Sequence, residues 1–114
     1  MGYSIERRDD IYYVAVYDRL DIDDAMNLED EINSKLDEGG NYFILNFRKA
    51  EYISSNGIRI MIYLLNKLKE SDGIMAVSEL SEAVDKILQL VDIKKMFTIT
   101  DSDDEAFAYI NEKL

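Results

Sequence analysis

Strand-like and helix-like segments alternate along this chain, and the alternation predicts an α/β domain. Three observations carry that reading. The apolar period switches repeatedly between about two and about 3.6 residues. Two strand-like segments near the start are separated only by Asp9-Asp10, which reads as a tight hairpin turn. Every later strand-like segment is followed by a helical one, as parallel pairing requires. The expected architecture is a mainly parallel mixed sheet with an N-terminal antiparallel hairpin and helices packed on it. No proline, low-complexity tract, repeat or linker divides the 114 residues, so one domain over 1–114 is expected.

Each element has its local reason. Tyr3, Ile5 and Arg7 share one face of the first strand, with Ser4 and Glu6 on the other. Ile11–Tyr17 is rich in β-branched and aromatic residues and reads as a strand buried on both faces. Ala25, Leu28, Ile32 and Leu36 then recur at helical spacing, with Asp21 or Asp23 as the cap and Gly39-Gly40 as the stop. Tyr42–Phe47 is a second buried strand, and Arg48–Ile53 connects it to a long apolar helix. Ile58, Met61, Leu64, Leu65 and Leu68 form that helix's stripe, widened by Ile60 and Ile62.

Ser71-Asp72-Gly73 ends this helix, which is expected to be the most buried. Ile74–Val77 is a short strand. Ser81 caps a helix that turns Val84, Ile87, Leu88 and Val91 inward. Met96–Thr100 reads as a short extended segment. Ser102 and Glu105 form a capping-box pattern ahead of a last helix with Ala106, Phe107, Tyr109, Ile110 and Leu114 as its apolar content.

Composition removes whole classes of function. With no cysteine and no histidine there is no conventional catalytic triad, Cys–His pair, disulfide or ordinary zinc site. An enzyme would have to run on carboxylates, Lys, Ser or Tyr, so a non-enzymatic role without cofactor or metal is expected. Thirteen Lys and Arg against 24 Asp and Glu give a net charge of −11, which argues against nucleic acid and anionic membrane surfaces as partners. A partner with a basic face would be attracted, although the acidity also serves solubility alone. No apolar run is long enough to span a membrane, and no signal-peptide pattern opens the sequence. A cytoplasmic location without membrane insertion is the expectation, in keeping with the absence of cysteine.

Four features invite chemistry. Asp18, Asp21, Asp23 and Asp24 lack the spacing of a calcium loop and suit a helix start. Asp101, Asp103, Glu105 and Glu112 imitate an EF-hand loop, but Ala106 stands where the sharp turn needs glycine. Gly39-Gly40 has no phosphate-loop residues around it. Ser54-Ser55-Asn56-Gly57 differs, because it joins the carboxyl end of a buried strand to the start of a buried helix. Ligands and partners bind there in open α/β sheets, and a helix start favours an anion. A hydroxyl in this loop is either a cap or a place for a phosphate.

Three stretches together resemble the STAS family, and within it the small bacterial anti-sigma factor antagonists. They are Asp18-Arg19-Leu20-Asp21 with Ala25 and Leu28, then Ile44–Phe47 followed by Tyr52–Ile58, then Ser78 through Leu90, Ile93, Phe97 and Glu105-Ala106. The resemblance implies a non-enzymatic partner switch. An anti-sigma factor that is also a serine kinase would phosphorylate Ser55 and bind the unmodified form, and a metal-dependent phosphatase would reset it. Asp21, Ser54, Asn56, Gly57 and Arg59 are the partner-binding residues it implies. The alternative is an unmodified STAS scaffold, or a module binding an anion or nucleotide phosphate. Ser54 stands where the family usually has Asp, Asn56 where a second Ser or Thr is common, and Arg59 where a second Gly is frequent. Arg59, one turn after Ser55, is either a partner for a phosphate there or a solvated or partner-contacting cation.

Overall fold

The structure is a computed structural model and describes residues 2–114. The elements run β1 (Tyr3–Arg8), β2 (Ile11–Asp18), α1 (Ile22–Asp37), β3 (Tyr42–Ala50), α2 (Ser55–Glu70), β4 (Ile74–Ser78), α3 (Glu82–Leu90), a 3₁₀ turn (Lys94–Met96), β5 (Ile99–Thr100) and α4 (Asp103–Asn111). The five strands lie in sequence order in one sheet. β1 pairs antiparallel with β2, and every other neighbouring pair is parallel.

Strand alternation divides the core between two faces. Tyr12, Val14, Val16, Phe43, Leu45, Phe47, Met75 and Val77 point to one face, where α1, α2 and α3 cover them with Ala25, Leu28, Ile32, Ile60, Met61, Leu64, Leu68, Val84 and Leu88. The opposite face carries Ile11, Ile44 and Ala76 under Ala106 and Ile110 of α4. Both faces of β2 are thus buried, as its unbroken apolar run predicts. Each fully buried large apolar side chain contributes about 1.5–3 kcal/mol, and this double-sided burial fixes the strand register.

The helix starts follow the capping residues. Asp21 rather than Asp23 caps α1, accepting from Asp24 N at 2.8 Å. Ser81 Oγ accepts from Val84 N at 3.2 Å. Ser102 Oγ accepts from Glu105 N at 3.1 Å, while the Glu105 carboxylate receives Asp101 N instead of closing the box on Ser102 itself. The Asp101–Glu105 segment is therefore a helix start. Gly39 ends α1 at φ +95°, a conformation glycine adopts without cost.

Four expectations need correction. β3 runs on to Ala50, beyond Phe47. Only Ile99–Thr100 of the expected 96–100 segment pairs as a strand, because residues 94–96 coil into the 3₁₀ turn. Val91 is exposed, since α3 ends at Leu90 and the chain leaves the helical path there. Leu114 is also exposed, beyond the end of α4.

A polar cluster on the α4 face was not visible in the periodicity. Asp103 Oδ1 accepts from Ser78 Oγ at 2.7 Å and Asn46 Nδ2 at 2.8 Å, and Oδ2 accepts from Tyr13 Oη at 2.7 Å. One carboxylate thereby ties the first turn of α4 to β2, β3 and β4. Burial opposes the charge, but the bonds from Ser78, Tyr13 and Asn46 outweigh it and hold the Asp103 carboxyl below its ordinary pKa. Burial, with Asp103 beside it, pushes the Tyr13 hydroxyl up in turn.

Candidate functional site

The candidate site lies at the carboxyl ends of β2 and β3, where the starts of α1 and α2 meet. A register shift between Ala15 and Tyr17 interrupts the pairing of β2 with β3, which resumes at Tyr17–Lys49 and Asp18–Ala50, and Asp18 takes a positive φ of 45°. That turn aims the Asp18 carbonyl at the next loop, where it accepts from Glu51 N at 2.6 Å and Tyr52 N at 3.3 Å. Ile53 and Leu20 are buried beneath the loop. The segment leading into α2 is therefore pinned by backbone bonds on one side and apolar contacts on the other.

The two serines divide the roles that the sequence left open. Ser54 has extended backbone (φ −79°, ψ 168°) and caps α2. Its Oγ accepts from Gly57 N at 3.1 Å and donates to Leu20 O at 3.2 Å, so it also joins the two helix starts. Ser54 O receives Ile58 N at 3.0 Å. Ser55 is the first residue of α2 and is exposed. With the cap supplied by its neighbour, its hydroxyl is not needed for the fold.

The charge around this helix start is unusual for the molecule. α1 carries Asp23 and Asp24 in its first turn, α3 carries Glu82 and Asp85, and α4 carries Asp103, Asp104 and Glu105. α2 has no acidic residue in its first turn. Among the described residues, α2 is the α-helix whose first turn lacks a carboxylate and it presents Ser55, so its N–H groups and dipole are uncompensated by first-turn side-chain charge.

Asn56 is half-buried and Gly57 buried. A Cβ at Gly57 would stand 2.8 Å from Ile53 Cγ1 and 3.5 Å from Leu20 Cδ2, inside the packing under the loop. Glycine is required here for space. Arg59 points away from the phosphate role: its two terminal nitrogens bond both oxygens of Glu29 on α1, at 2.9 and 3.1 Å. These bonds hold the Glu29 carboxyl below its usual pKa. The structure thus gives Arg59 an intramolecular partner that neither sequence reading named.

Glu29–Arg59 and Asn33–Tyr63 are both contacts between α1 and α2 across 30 residues of sequence. A constant offset means that the two helices run side by side in the same direction. The first residues of the two helices, Ile22 and Ser55, therefore lie at the same end of the pair. Ile22, Met26 and Tyr52 are 63%, 58% and 46% exposed, with the Arg19 guanidinium 5.6 Å from the Tyr52 ring centre. They are exposed apolar side chains toward the end of the fold that carries Ser55. Sequence reasoning missed them because Ile22 and Met26 fall outside the helix's buried stripe, although two large apolar residues on a polar face were a usable signal. Asp21 sits at the same end as the α1 cap.

Comparison with known proteins agrees with this architecture. The pattern of the STAS domain matches residues 3–106. BtrV of Bordetella bronchiseptica, named as a candidate anti-sigma factor antagonist, is 22% identical over 108 residues, covering 95% of this chain and 93% of its own. A candidate anti-sigma factor antagonist from Thermotoga maritima superposes with a TM-score of 0.88 at 22% identity, over 96% of this chain and 94% of the other. The anti-sigma factor antagonist SpoIIAA in its unphosphorylated form gives 0.80 at 15% identity, over 98% and 99%. The phosphorylated form of the Bacillus protein gives 0.78 at 15% identity, over 95% and 98%. With its five-stranded mixed sheet, its antiparallel first hairpin and its match along nearly the whole sequence, the chain belongs to the STAS domain family.

Proposed function

We propose that this protein is an anti-sigma factor antagonist whose docking is controlled by phosphorylation of Ser55. The observation that carries the reading is the division between the two serines. Ser54 holds the cap and the link to Leu20, which leaves Ser55 exposed at a helix start free of carboxylates. A phosphate on Ser55 adds about −1.5 to −2 charges and three acceptor oxygens at the positive end of α2. The fold tolerates it there because no bond to Ser54 or packing around Gly57 has to break.

The unmodified surface suits docking for a different reason. Ile22, Met26 and Tyr52 offer apolar area toward the end of the fold that carries a neutral Ser55 hydroxyl, and a partner covering them removes that area from water. A dianion on a surface the partner covers would have to be desolvated against it, which weakens binding. The partner in this reading is an anti-sigma factor with serine kinase activity, and a metal-dependent serine/threonine phosphatase restores docking. The protein itself is a substrate and ligand, not an enzyme, and it acts in the cytoplasm. Asp21, Ser54, Asn56 and Gly57 shape the docking surface, and Arg59 borders it through Glu29.

Incubation with ATP and the cognate kinase, followed by peptide mass spectrometry, tests the acceptor. Phosphate on Ser55 is the expected result. Phosphate confined to Ser54, or none from an active kinase that binds the protein, overturns it. The carboxylate-free helix start also favours the second reading, an unmodified anion site, in which phosphate or nucleotide alone gives saturable heat in calorimetry.

A further inference from the structure

β1 ends the five-strand order, so one of its edges is paired and the other is open. Gly2 O accepts from Tyr17 N at 2.7 Å. Bonded and non-bonded pairs alternate along an antiparallel ladder, so Ser4–Ala15, Glu6–Tyr13 and Arg8–Ile11 also exchange bonds with β2. Tyr3, Ile5 and Arg7 therefore turn their N–H and C=O groups to the open side. Their side chains share the helix-covered face, Tyr3 in the core and Ile5 packed against it. Beside them a groove of about 510 Å³ between β1 and α1 is lined by Tyr3, Ser4, Ile5, Glu31, Ser34 and Lys35.

Open edges usually carry a bulge or an obstructing charge. The register of β1 is unbroken, and its charges, Glu6, Arg7 and Arg8, lie toward one end. We propose that β1 is a self-pairing edge, joining two copies of this chain antiparallel with Ile5 facing Ile5 of the second copy, so that one sheet runs through both.

The register follows from charge and from the outward groups. Centring the two-fold axis on Ile5 uses the outward groups of Tyr3, Ile5 and Arg7 on both strands. It sets Tyr3 opposite Arg7 and Ser4 opposite Glu6. Centring on Glu6 or Arg7 opposes like charges, which is destabilising. Centring on Ser4 or Tyr3 leaves Arg7 without a partner inside β1. In the favoured register each Arg7 lies across from Tyr3 of the other copy, at the groove that holds Glu31. Arg7 can turn there by giving up two exposed local contacts, a 3.4 Å ion pair with Asp10 and a 2.7 Å bond from its Nε to Asp9 O. This pairing does not depend on the role of Ser55.

The test is sedimentation equilibrium from about 10 μM to 1 mM in about 0.15 M salt, where screening acts within about 8 Å. A dimer whose proportion rises with concentration is expected, together with concentration-dependent amide exchange protection at Tyr3, Ile5 and Arg7. Arg7→Glu should raise the Kd about tenfold, and adding Glu31→Arg should restore it to within about threefold. Ile5→Lys should abolish the dimer by opposing two ammonium groups. Melting curves check that each variant is folded: Arg7 is exposed, so Arg7→Glu leaves the domain intact, while Glu31 is half-buried beside Tyr3 and the double variant is read only where its melting curve shows it folded. A monomer throughout, or a dimer that ignores both Ile5→Lys and Arg7→Glu, overturns the proposal.

Discussion

Replacing Gly57 tests how tightly the start of α2 is packed against the preceding loop. In an open helix position Gly→Ala stabilises by about 1 kcal/mol. Here the new methyl would meet Ile53 Cγ1 at 2.8 Å, and Ile53 is buried, with the contacting atom next to its own Cβ rather than at a flexible tip. Ile53 must shift by several tenths of an ångström, and overpacking of this kind costs about 1–3 kcal/mol. The net expectation is a loss of about 1 kcal/mol for Gly57→Ala, or about 4 °C of melting temperature for a domain of this size. Gly57→Val pushes further carbons toward Leu20 Cδ2 and should lose about 2–3 kcal/mol. Thermal melting by circular dichroism reads both. Combining Gly57→Ala with Ile53→Ala removes the contact and leaves the helix gain, so the double variant should be about 2 kcal/mol more stable than the two single losses sum to. A Gly57→Ala protein that melts at or above the unmodified temperature would refute the steric argument.

Other perturbations separate the remaining contacts. Ser54→Ala removes the α2 cap and should cost about 1 kcal/mol by chemical denaturation, while Ser55→Ala should cost almost nothing. Asp103→Ala leaves the groups of Ser78, Asn46 and Tyr13 without their acceptor and should cost about 2 kcal/mol in the same assay. The Asp103 pKa is lower in the folded than in the unfolded chain, so its contribution is complete above the ordinary value of 3.8 and is lost as pH falls through the folded value. Melting measured between pH 5 and 2 should show less acid sensitivity in Asp103→Asn. Arg59→Ala should lower the melting temperature slightly, because its bidentate pair with Glu29 is only partly exposed, and should weaken partner binding, read by calorimetry, if the proposed docking surface includes this part of α2.

Much of the fold was legible because double-sided burial writes itself as unbroken apolar runs. Ile11–Tyr17 and Tyr42–Phe47 are such runs, and the helices between them carry regular stripes and explicit caps at Asp21, Ser81 and Ser102. Val91 misled because periodicity continues in sequence after the backbone has left the helix. The site was legible as a segment but not in its roles. Ser54 and Ser55 are adjacent and chemically alike, and only the backbone direction at the strand end makes one the cap and the other an exposed hydroxyl. The Glu29–Arg59 pair and the cluster around Asp103 join residues far apart in sequence. Such pairings depend on how the elements lie side by side, which local spacing does not encode.

If a charge on Ser55 decides docking, titration of two forms of the same protein will separate them. Protein carrying phosphoserine at position 55 and unmodified protein are each titrated by calorimetry into the kinase-type anti-sigma factor, after melting curves have shown both to be folded. The phosphorylated form should bind at least about tenfold more weakly, a difference of about 1.4 kcal/mol, with a melting temperature equal to or above that of the unmodified form. Equal affinity of the two folded forms for that partner would contradict it.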